Sequence, residues 1–345
     1  MRRPAFDITP RHRWPSTGRC HWGRRFDAVS ETARERADRL ERLPLSDIQA
    51  GGGGVFRGFG VFISELRLHR ELLGLLVRRE LKSRYKDSSL GFLWSLIRPL
   101  TMLLIYFVAI GQFLGAAREI PDFAIFVFCG LTIWGLYSDI VLGSTSSIIA
   151  NAGLIKKVYL PREIFPLAAT GAAIFNFLIQ FGILLVATAL AGVFPLTWDL
   201  LYVPAGIVVA LVYGVAFGLL FSALNVYLRD IQYLVEVGLL IFFWASPVVY
   251  AWSFVVKAGD DAALAWVETV YLINPMSLSI MAFQRGVWAA GSEERVTADG
   301  ITIPPQPWPA DMDLRLLVAF GVGLVLLFIA QRVFSRLQGN FAQEI

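Results

Sequence analysis

The chain divides into a polar first part and a strongly apolar remainder. Apolar stretches with few charges begin near residue 93 and recur as far as residue 334. A helix needs about 20 apolar residues to cross the hydrocarbon core of a membrane. Six stretches offer enough apolar sequence, at residues 93–117, 123–149, 164–198, 200–228, 231–250 and 314–334. The pattern predicts an all-α polytopic membrane protein with six transmembrane helices.

Two shorter apolar stretches lie between the fifth and sixth predicted spans, at residues 262–272 and 275–288. Asn274-Pro275 separates them, because a residue that precedes proline disfavours the helical conformation. Each stretch is too short to cross a membrane. We therefore expect two short re-entrant helices, followed by a Pro-rich loop over residues 291–309.

The region before the first span has a different pattern. Over residues 61–85 leucines recur near helical spacing, but charges interrupt them too often for a span. The pattern favours an amphipathic helix in the membrane interface, and a helix packed on a partner is the alternative. Residues 1–60 are rich in Arg and contain a Gly51–Gly54 run, which is typical of disorder. We predict three regions: a basic disordered cytoplasmic head (1–60), the interface helix with its connector (61–90), and a six-span domain (91–345).

Composition and charge exclude a soluble protein. Hydrophobic residues make up 56% of the chain and charged residues 17%, whereas soluble domains average about 25% charged. Residues 1–90 carry 19 of the 31 Lys and Arg but 11 of the 27 Asp and Glu. Nucleic acid could attract this basic head, but contact with anionic membrane lipids explains it more simply. We predict no nucleic-acid partner, and a multi-pass protein with both termini cytoplasmic.

Motifs for chemistry are few. The sequence has no G-x-x-x-x-G-K-[ST] string, so this chain cannot form a P-loop phosphate site. All three histidines precede the spans, and we predict no metal site and no cofactor in this chain. Acidic pairs at Glu119 and Asp122 and at Asp311 and Asp313 leave a membrane glycosyltransferase as an alternative.

Aromatic residues are frequent in and beside the spans. Trp134, Tyr137, Phe243 and Trp244 offer a stacking surface for sugar rings along a translocation path. Interfacial anchoring and packing against lipid are the alternative interpretation.

Three segments carry a resemblance to a known family. They are residues 84–91 (RYKDSSLG), 154–163 (LIKKVYLPRE) and 225–231 (NVYLRDI). From about residue 66 onward the chain resembles the permease subunits of bacterial ABC exporters for O-antigen, teichoic acid, galactan and related lipid-linked polysaccharides, a type-2 ABC transporter family.

This resemblance implies the membrane-spanning half of an ATP-driven exporter in the bacterial plasma membrane. The chain would form a homodimer and bind two copies of a separate ATPase, which holds ATP and Mg²⁺. Its substrate would be a polyprenyl-diphosphate-linked polysaccharide, and the chain itself would not be an enzyme. Export of a small lipid or drug by a related permease is the alternative.

The resemblance also implies roles for particular residues. Arg84 and Lys86 are expected to meet the lipid diphosphate, although anchoring by the positive-inside rule is equally open. Asn274, Pro275 and Arg285 belong to an expected outer gate. Residues expected to couple to the ATPase are Lys156, Lys157, Val158, Tyr159, Leu160, Pro161, Arg162, Glu163, Asn225, Arg229 and Asp230.

Overall fold

A computed structural model describes most of the chain beyond residue 68. The described residues are 69–85, 94–113, 115–157, 160–193, 197–259, 265–288, 291, 295–296, 302–303 and 305–344. The predicted head (1–60), Lys86, Val158 and Tyr159 lie outside them, as does the side chain of Arg84. The predictions made for these residues therefore stay predictions.

Nearly all of the described elements are helices. The longer ones are α1 (Arg70–Tyr85), α2 (Trp94–Tyr106, continued by a π-helix at Phe107–Phe113), α4 (Phe123–Ala150), α6 (Ile164–Leu190), α7 (Tyr202–Tyr227, after a 3-10 turn at Trp198–Leu201), α8 (Ile231–Trp244), α11 (Pro275–Val287) and α12 (Met312–Leu337). The short ones are α3 (Ala116–Glu119), α5 (Ala152–Ile155), α9 (Trp252–Gly259), α10 (Ala265–Ile273) and α13 (Phe341–Glu344, after a 3-10 turn at Gln338–Asn340). Arg295–Val296 (β1) and Thr302–Ile303 (β2) form a small antiparallel pair.

Four of the six predicted spans are confirmed as long apolar helices. They are α4, α6, α7 with its preceding turn, and α12 with its following turn. The first and fifth predicted spans are also helical, but their apolar helices are shorter, at Pro99–Phe113 and Ile231–Trp244. The 14 residues of α8 rise only about 21 Å, less than the hydrocarbon thickness of about 30 Å. A count of six spans therefore stays a prediction.

The end of α8 differs from the predicted boundary at residue 250. The helix stops at Trp244, because Pro247 restricts the backbone before it and Ser246 takes part in a tertiary contact. Ser246 Oγ accepts a hydrogen bond of 3.0 Å from the side chain of Asn274. The chain then turns into α9, a helix that the sequence pattern did not predict.

The prediction of two short helices on either side of Asn274-Pro275 is confirmed. Pro275 occupies the first turn of α11, where a missing N–H costs nothing. Asn274 caps this helix, since its Oδ1 accepts a hydrogen bond of 2.9 Å from the Met276 backbone N–H. Almost all of α11 is buried, in contact with α7 and α4. A re-entrant position in the membrane stays a prediction.

Helix α4 is the centre of the bundle. It packs along α6 and α7, and α12 packs on the other side of α7. Small residues permit the close contact: a Cβ on Gly218 of α7 would lie 2.8 Å from the Cβ of Ser144 in α4. Gly214, one turn earlier in α7, likewise faces Ile140 of α4, so both glycines serve packing within one chain.

One end of the bundle carries the exposed basic residues Arg78, Lys82, Lys156, Lys157 and Arg229. This end, called here the basic end, holds α1, the segment 151–163, the turn 228–230 and residues 331–344. The opposite end holds α3, the turn before α7, helices α9 to α11, and the start of α12.

Helix α1 lies against the basic end of α6. Leu76 is buried, and Val77 occupies the space above Gly171, where a Cβ would come within 2.6 Å of the valine side chain. The same helix leaves Leu75 largely exposed. Thus α1 has one side that packs within the chain and an apolar side chain that points outward.

Candidate functional site

The segment between α4 and α6 forms an exposed basic surface at the basic end. Lys156 and Lys157 follow α5 and are both exposed. Two contacts fix the start of this segment: the Asn151 side-chain amide donates to Ser147 O at 2.8 Å, and its Oδ1 accepts from the guanidinium of Arg79 in α1. The hydrogen bonds of Asn151 therefore fix the position of the turn that precedes the two lysines.

The last residues of the segment are anchored to α12. Glu163 has only 6% of its surface exposed. Its Oε1 accepts hydrogen bonds from Ser335 Oγ at 3.3 Å and from Gln331 Nε2 at 3.5 Å. Beside it, the Arg162 guanidinium lies 5.7 Å from the centre of the Phe341 ring. Leu160 and Pro161 are half-buried, so among the described residues of the segment the exposed ones lie near its beginning.

The second predicted coupling segment has an exposed tip and a buried base. Arg229 and Asp230 are exposed in the turn between α7 and α8. Asn225 is fully buried: its side-chain amide donates to Thr145 O at 3.0 Å, and its Oδ1 accepts from the Gln232 N–H at 3.3 Å. Asn225 and Glu163 can thus contribute to a docking surface only from inside, by positioning the backbone.

The four predicted path aromatics lie together, but three of them are not on a surface. Trp134, Tyr137 and Phe243 are buried, with ring centres 5.6 Å apart for Trp134 and Tyr137 and 5.5 Å apart for Trp134 and Phe243. Phe242 joins this cluster from α8. In this conformation the three buried rings pack on one another, so they cannot stack on a sugar. Only Trp244, which is 51% exposed, keeps an open face.

At the opposite end, Asn274 joins the short helices to the end of α8. Besides capping α11, its amide donates to Ser246 Oγ at 3.0 Å and to Ala245 O at 3.3 Å. The hydroxyls of Tyr250 and Tyr271 contact each other nearby, and Tyr250 also donates to Trp244 O at 2.9 Å. The segment predicted as an outer gate is therefore tied to α8 through polar contacts.

Arg285 ties the other end of α11 to α7 and α12. Its Nε donates to Asp199 Oδ1 at 3.0 Å, and its guanidinium lies 4.2 Å from the centre of the Tyr202 ring. Its Nη1 also lies 3.9 Å from Met312 Sδ at the start of α12. About a quarter of the Arg285 and Asp199 side chains is exposed, so solvent weakens the pair.

Sequence reasoning missed the partners in these contacts. No sequence pattern pointed to Asp199 and Tyr202 as partners of Arg285. They lie 86 and 83 positions before it, in the turn before α7 and at the start of α7, whereas Arg285 belongs to α11. Phe341 also gave no sequence signal, because it is a single aromatic residue beyond the last predicted span. Only the tertiary structure shows which distant residues meet.

Four long apolar helices, with an exposed basic loop at one end, define the chain as a polytopic membrane protein. Residues 71–288 match the family described as ABC-2 type transporter, and the chain belongs to this family. The chain is 30% identical over 283 residues to the O-antigen export system permease protein RfbA of Myxococcus xanthus. That alignment covers 82% of this chain and 98% of the relative.

Two further relatives have related descriptions. A protein of the same name from Klebsiella pneumoniae is 26% identical, over 79% of this chain and 94% of its own length. The capsule polysaccharide export inner-membrane protein CtrC of Neisseria meningitidis serogroup B is 36% identical over 98 residues, which are 27% of this chain and 36% of the relative.

Proposed function

We propose that this chain is the membrane-spanning subunit of an ATP-driven exporter of polyprenyl-diphosphate-linked polysaccharide. The observation that carries the proposal is the similarity to an O-antigen export permease along 98% of that relative. Relatives described as O-antigen and capsule polysaccharide export proteins favour a glycan over a small lipid or drug. The chain acts as a transporter subunit, and a separate ATPase subunit hydrolyses ATP.

The proposed ATPase docks at the basic end. Lys156 and Lys157 on one side and Arg229 and Asp230 on the other offer exposed charges at the ends of long helices. Since basic residues beside spans tend to face the cytoplasm, we propose that this end lies on the cytoplasmic side of the bacterial plasma membrane, with both termini cytoplasmic. ATP and Mg²⁺ belong to the partner subunit.

A homodimer with two ATPase subunits is the proposed assembly. Helix α8 is short and packs on α4 and α7 along one side, while Tyr233, Leu240 and Ile241 on its other side are mostly exposed. An exposed apolar surface of this kind requires lipid or another copy of the chain. Trp244 stands at the end of the same helix, where it would meet a glycan that passes between two copies.

Transport would then combine three parts of the molecule. Arg84 and Lys86 would steer the lipid diphosphate, since guanidinium and ammonium groups form charge-assisted hydrogen bonds with phosphate. Closure of the ATPase would push the segment that carries Lys156 and Lys157. The short helices joined by Asn274 and held by Arg285 would form the outer gate.

The test is reconstitution of the chain with its ATPase in lipid vesicles. We expect ATP-dependent transfer of a polyprenyl-diphosphate-linked polysaccharide to the far leaflet, and no ATP hydrolysis by the purified chain alone. A short fluorescent phospholipid serves as the competing substrate. Transfer of the phospholipid but not of the glycan would contradict the proposal.

A further inference from the structure

We propose that Phe341, Glu163 and Tyr227 are positioning residues that join the two ATPase contact elements into one mechanical unit. The two elements are the segment that carries Lys156 and Lys157 and the turn that carries Arg229 and Asp230. This inference rests on the proposed function, because it concerns how that function is coupled to ATP.

The first element is held by α12 and α13. Glu163 accepts hydrogen bonds from Ser335 and Gln331, which lie one helical turn apart on α12. A buried carboxylate with two donors from one helix fixes the end of the loop in both direction and distance. Arg162 adds a contact with the Phe341 ring in α13.

The second element is held by the same two helices, α12 and α13. The Tyr227 hydroxyl, at the last turn of α7, donates to Leu337 O at 2.8 Å. The rings of Tyr227 and Phe341 meet edge to face, with centres 6.1 Å apart. Tyr227 lies two positions before Arg229, so this contact positions the turn that follows α7.

Phe341 is the residue that both elements share. It is fully buried, in edge-to-face contact with Phe334 of α12 at 5.5 Å, and it contacts both Tyr227 and Arg162. A buried ring that fills the space between two elements transmits displacement, because protein interiors are close-packed and hardly compressible. A displacement of the first element is therefore transmitted to the second directly through the Phe341 ring, and it does not need to pass along helices α6 and α7.

The functional consequence is a single response to the ATPase. If the two elements moved separately, ATPase closure could displace one while the other stayed behind, and hydrolysis would be wasted. The shared anchor makes export per ATP, rather than docking itself, the quantity that depends on Phe341.

The test compares Phe341→Ala with Phe175→Ala, which removes a partly exposed ring from α6. In the reconstituted complex we expect Phe341→Ala to retain bound ATPase and ATP hydrolysis, while glycan exported per ATP falls roughly twofold to thirtyfold. Phe175→Ala should leave that ratio unchanged. Phe341→Tyr keeps the ring and should restore the ratio of exported glycan to hydrolysed ATP.

Two further variants keep the test decisive if Phe341→Ala does not fold. Tyr227→Phe removes only the hydroxyl that binds Leu337 O, and Glu163→Gln keeps the shape of the side chain but not its charge. Both should lower export per ATP with the complex intact. An unchanged ratio in assembled complexes of these variants would overturn the inference. Failure of the wild-type complex to export glycan would instead contradict the proposed function.

Discussion

Arg285 and Asp199 are 86 positions apart in the chain, yet Arg285 Nε donates a hydrogen bond to Asp199 Oδ1 at 3.0 Å. The contact joins the last turn of α11 to the turn that starts α7. Because the guanidinium also covers the Tyr202 ring, one side chain fixes a short helix against a long one. If the proposed outer gate moves, either this contact breaks or Asp199 and Tyr202 move together with Arg285.

The first prediction replaces Arg285 by Lys. Lysine keeps the positive charge but loses the planar group that stacks on Tyr202, so we expect the free energy of unfolding to fall by about 1–2 kcal/mol. Thermal unfolding in detergent measures the change. Arg336→Lys, at an exposed position of α12, is the control. Equal shifts in the two variants would show that the stacked geometry does not matter.

A second prediction concerns the contact between α4 and the chain after α8. A Cβ on Gly130 would lie 2.5 Å from the backbone oxygen of Val248, so Gly130→Ala must displace backbone. Overpacking of this kind costs about 1–3 kcal/mol. Gly182→Ala in α6, where a Cβ meets nothing within 4 Å, should be neutral or stabilise by up to about 1 kcal/mol. Urea or thermal unfolding of both variants checks the difference.

A third prediction tests docking at the basic end. Replacing Lys156 and Lys157 by Glu should reduce co-purification of the ATPase, because the exposed charges are reversed. Stability should change by no more than about 0.5 kcal/mol. Lys257→Glu, also exposed but at the opposite end, should leave co-purification unchanged. Normal complex formation and normal export in the double variant would remove both lysines from the docking surface.

The aromatic cluster gives a fourth prediction. Trp134→Ala should destabilise the chain by about 3–5 kcal/mol, because it leaves a large cavity among buried rings. Trp244→Ala removes a half-exposed ring and should cost less than about 1 kcal/mol while slowing glycan export. Thermal unfolding and vesicle export separate the two effects. Normal export by the Trp244 variant would leave no role for this residue in the path.

A fifth prediction concerns Arg84 and Lys86. Alanine at both positions should raise the substrate concentration for half-maximal ATPase stimulation roughly tenfold, since charge-assisted bonds to a diphosphate are lost. Arg78 and Lys82, which are exposed on α1, provide the matched double-alanine control. Equal shifts in the two double variants would mean that Arg84 and Lys86 contribute only general attraction to anionic lipid.

The sequence predicted the long helices well but not their ends. The length of the apolar stretch is enough to identify α4, α6, α7 and α12, because a helix that crosses a membrane must match the thickness of its hydrocarbon core. The end of α8 at Trp244 depends on the tertiary contact of Ser246 with Asn274, 28 positions away, which no local pattern contains. Likewise α9 was missed because its eight residues are too few for a periodic signal.

In the candidate site, too, some features follow from the local sequence and others depend on tertiary contacts. The exposure of Lys156 and Lys157 follows from charge in a short loop between apolar stretches. The burial of Glu163 and Asn225 does not follow from the local sequence, since both are polar residues beside a predicted membrane surface. Their partners on α12 and α4 decide their position, and these partners become visible only once the helices are packed.

The contact of Val77 with Gly171 has a consequence for the order of biosynthesis. Helix α1 leaves the ribosome before α6, because the glycine on which it packs lies 94 positions later in the chain than Val77. At about 5–20 residues per second, translation takes roughly 5–20 seconds to reach it. During this interval the leucines of α1 have no α6 to cover them, and the membrane interface, where acyl chains begin, is an apolar environment that can take its place. We therefore expect the newly synthesised helix α1 to lie in the membrane interface until α6 has been synthesised and can bind it.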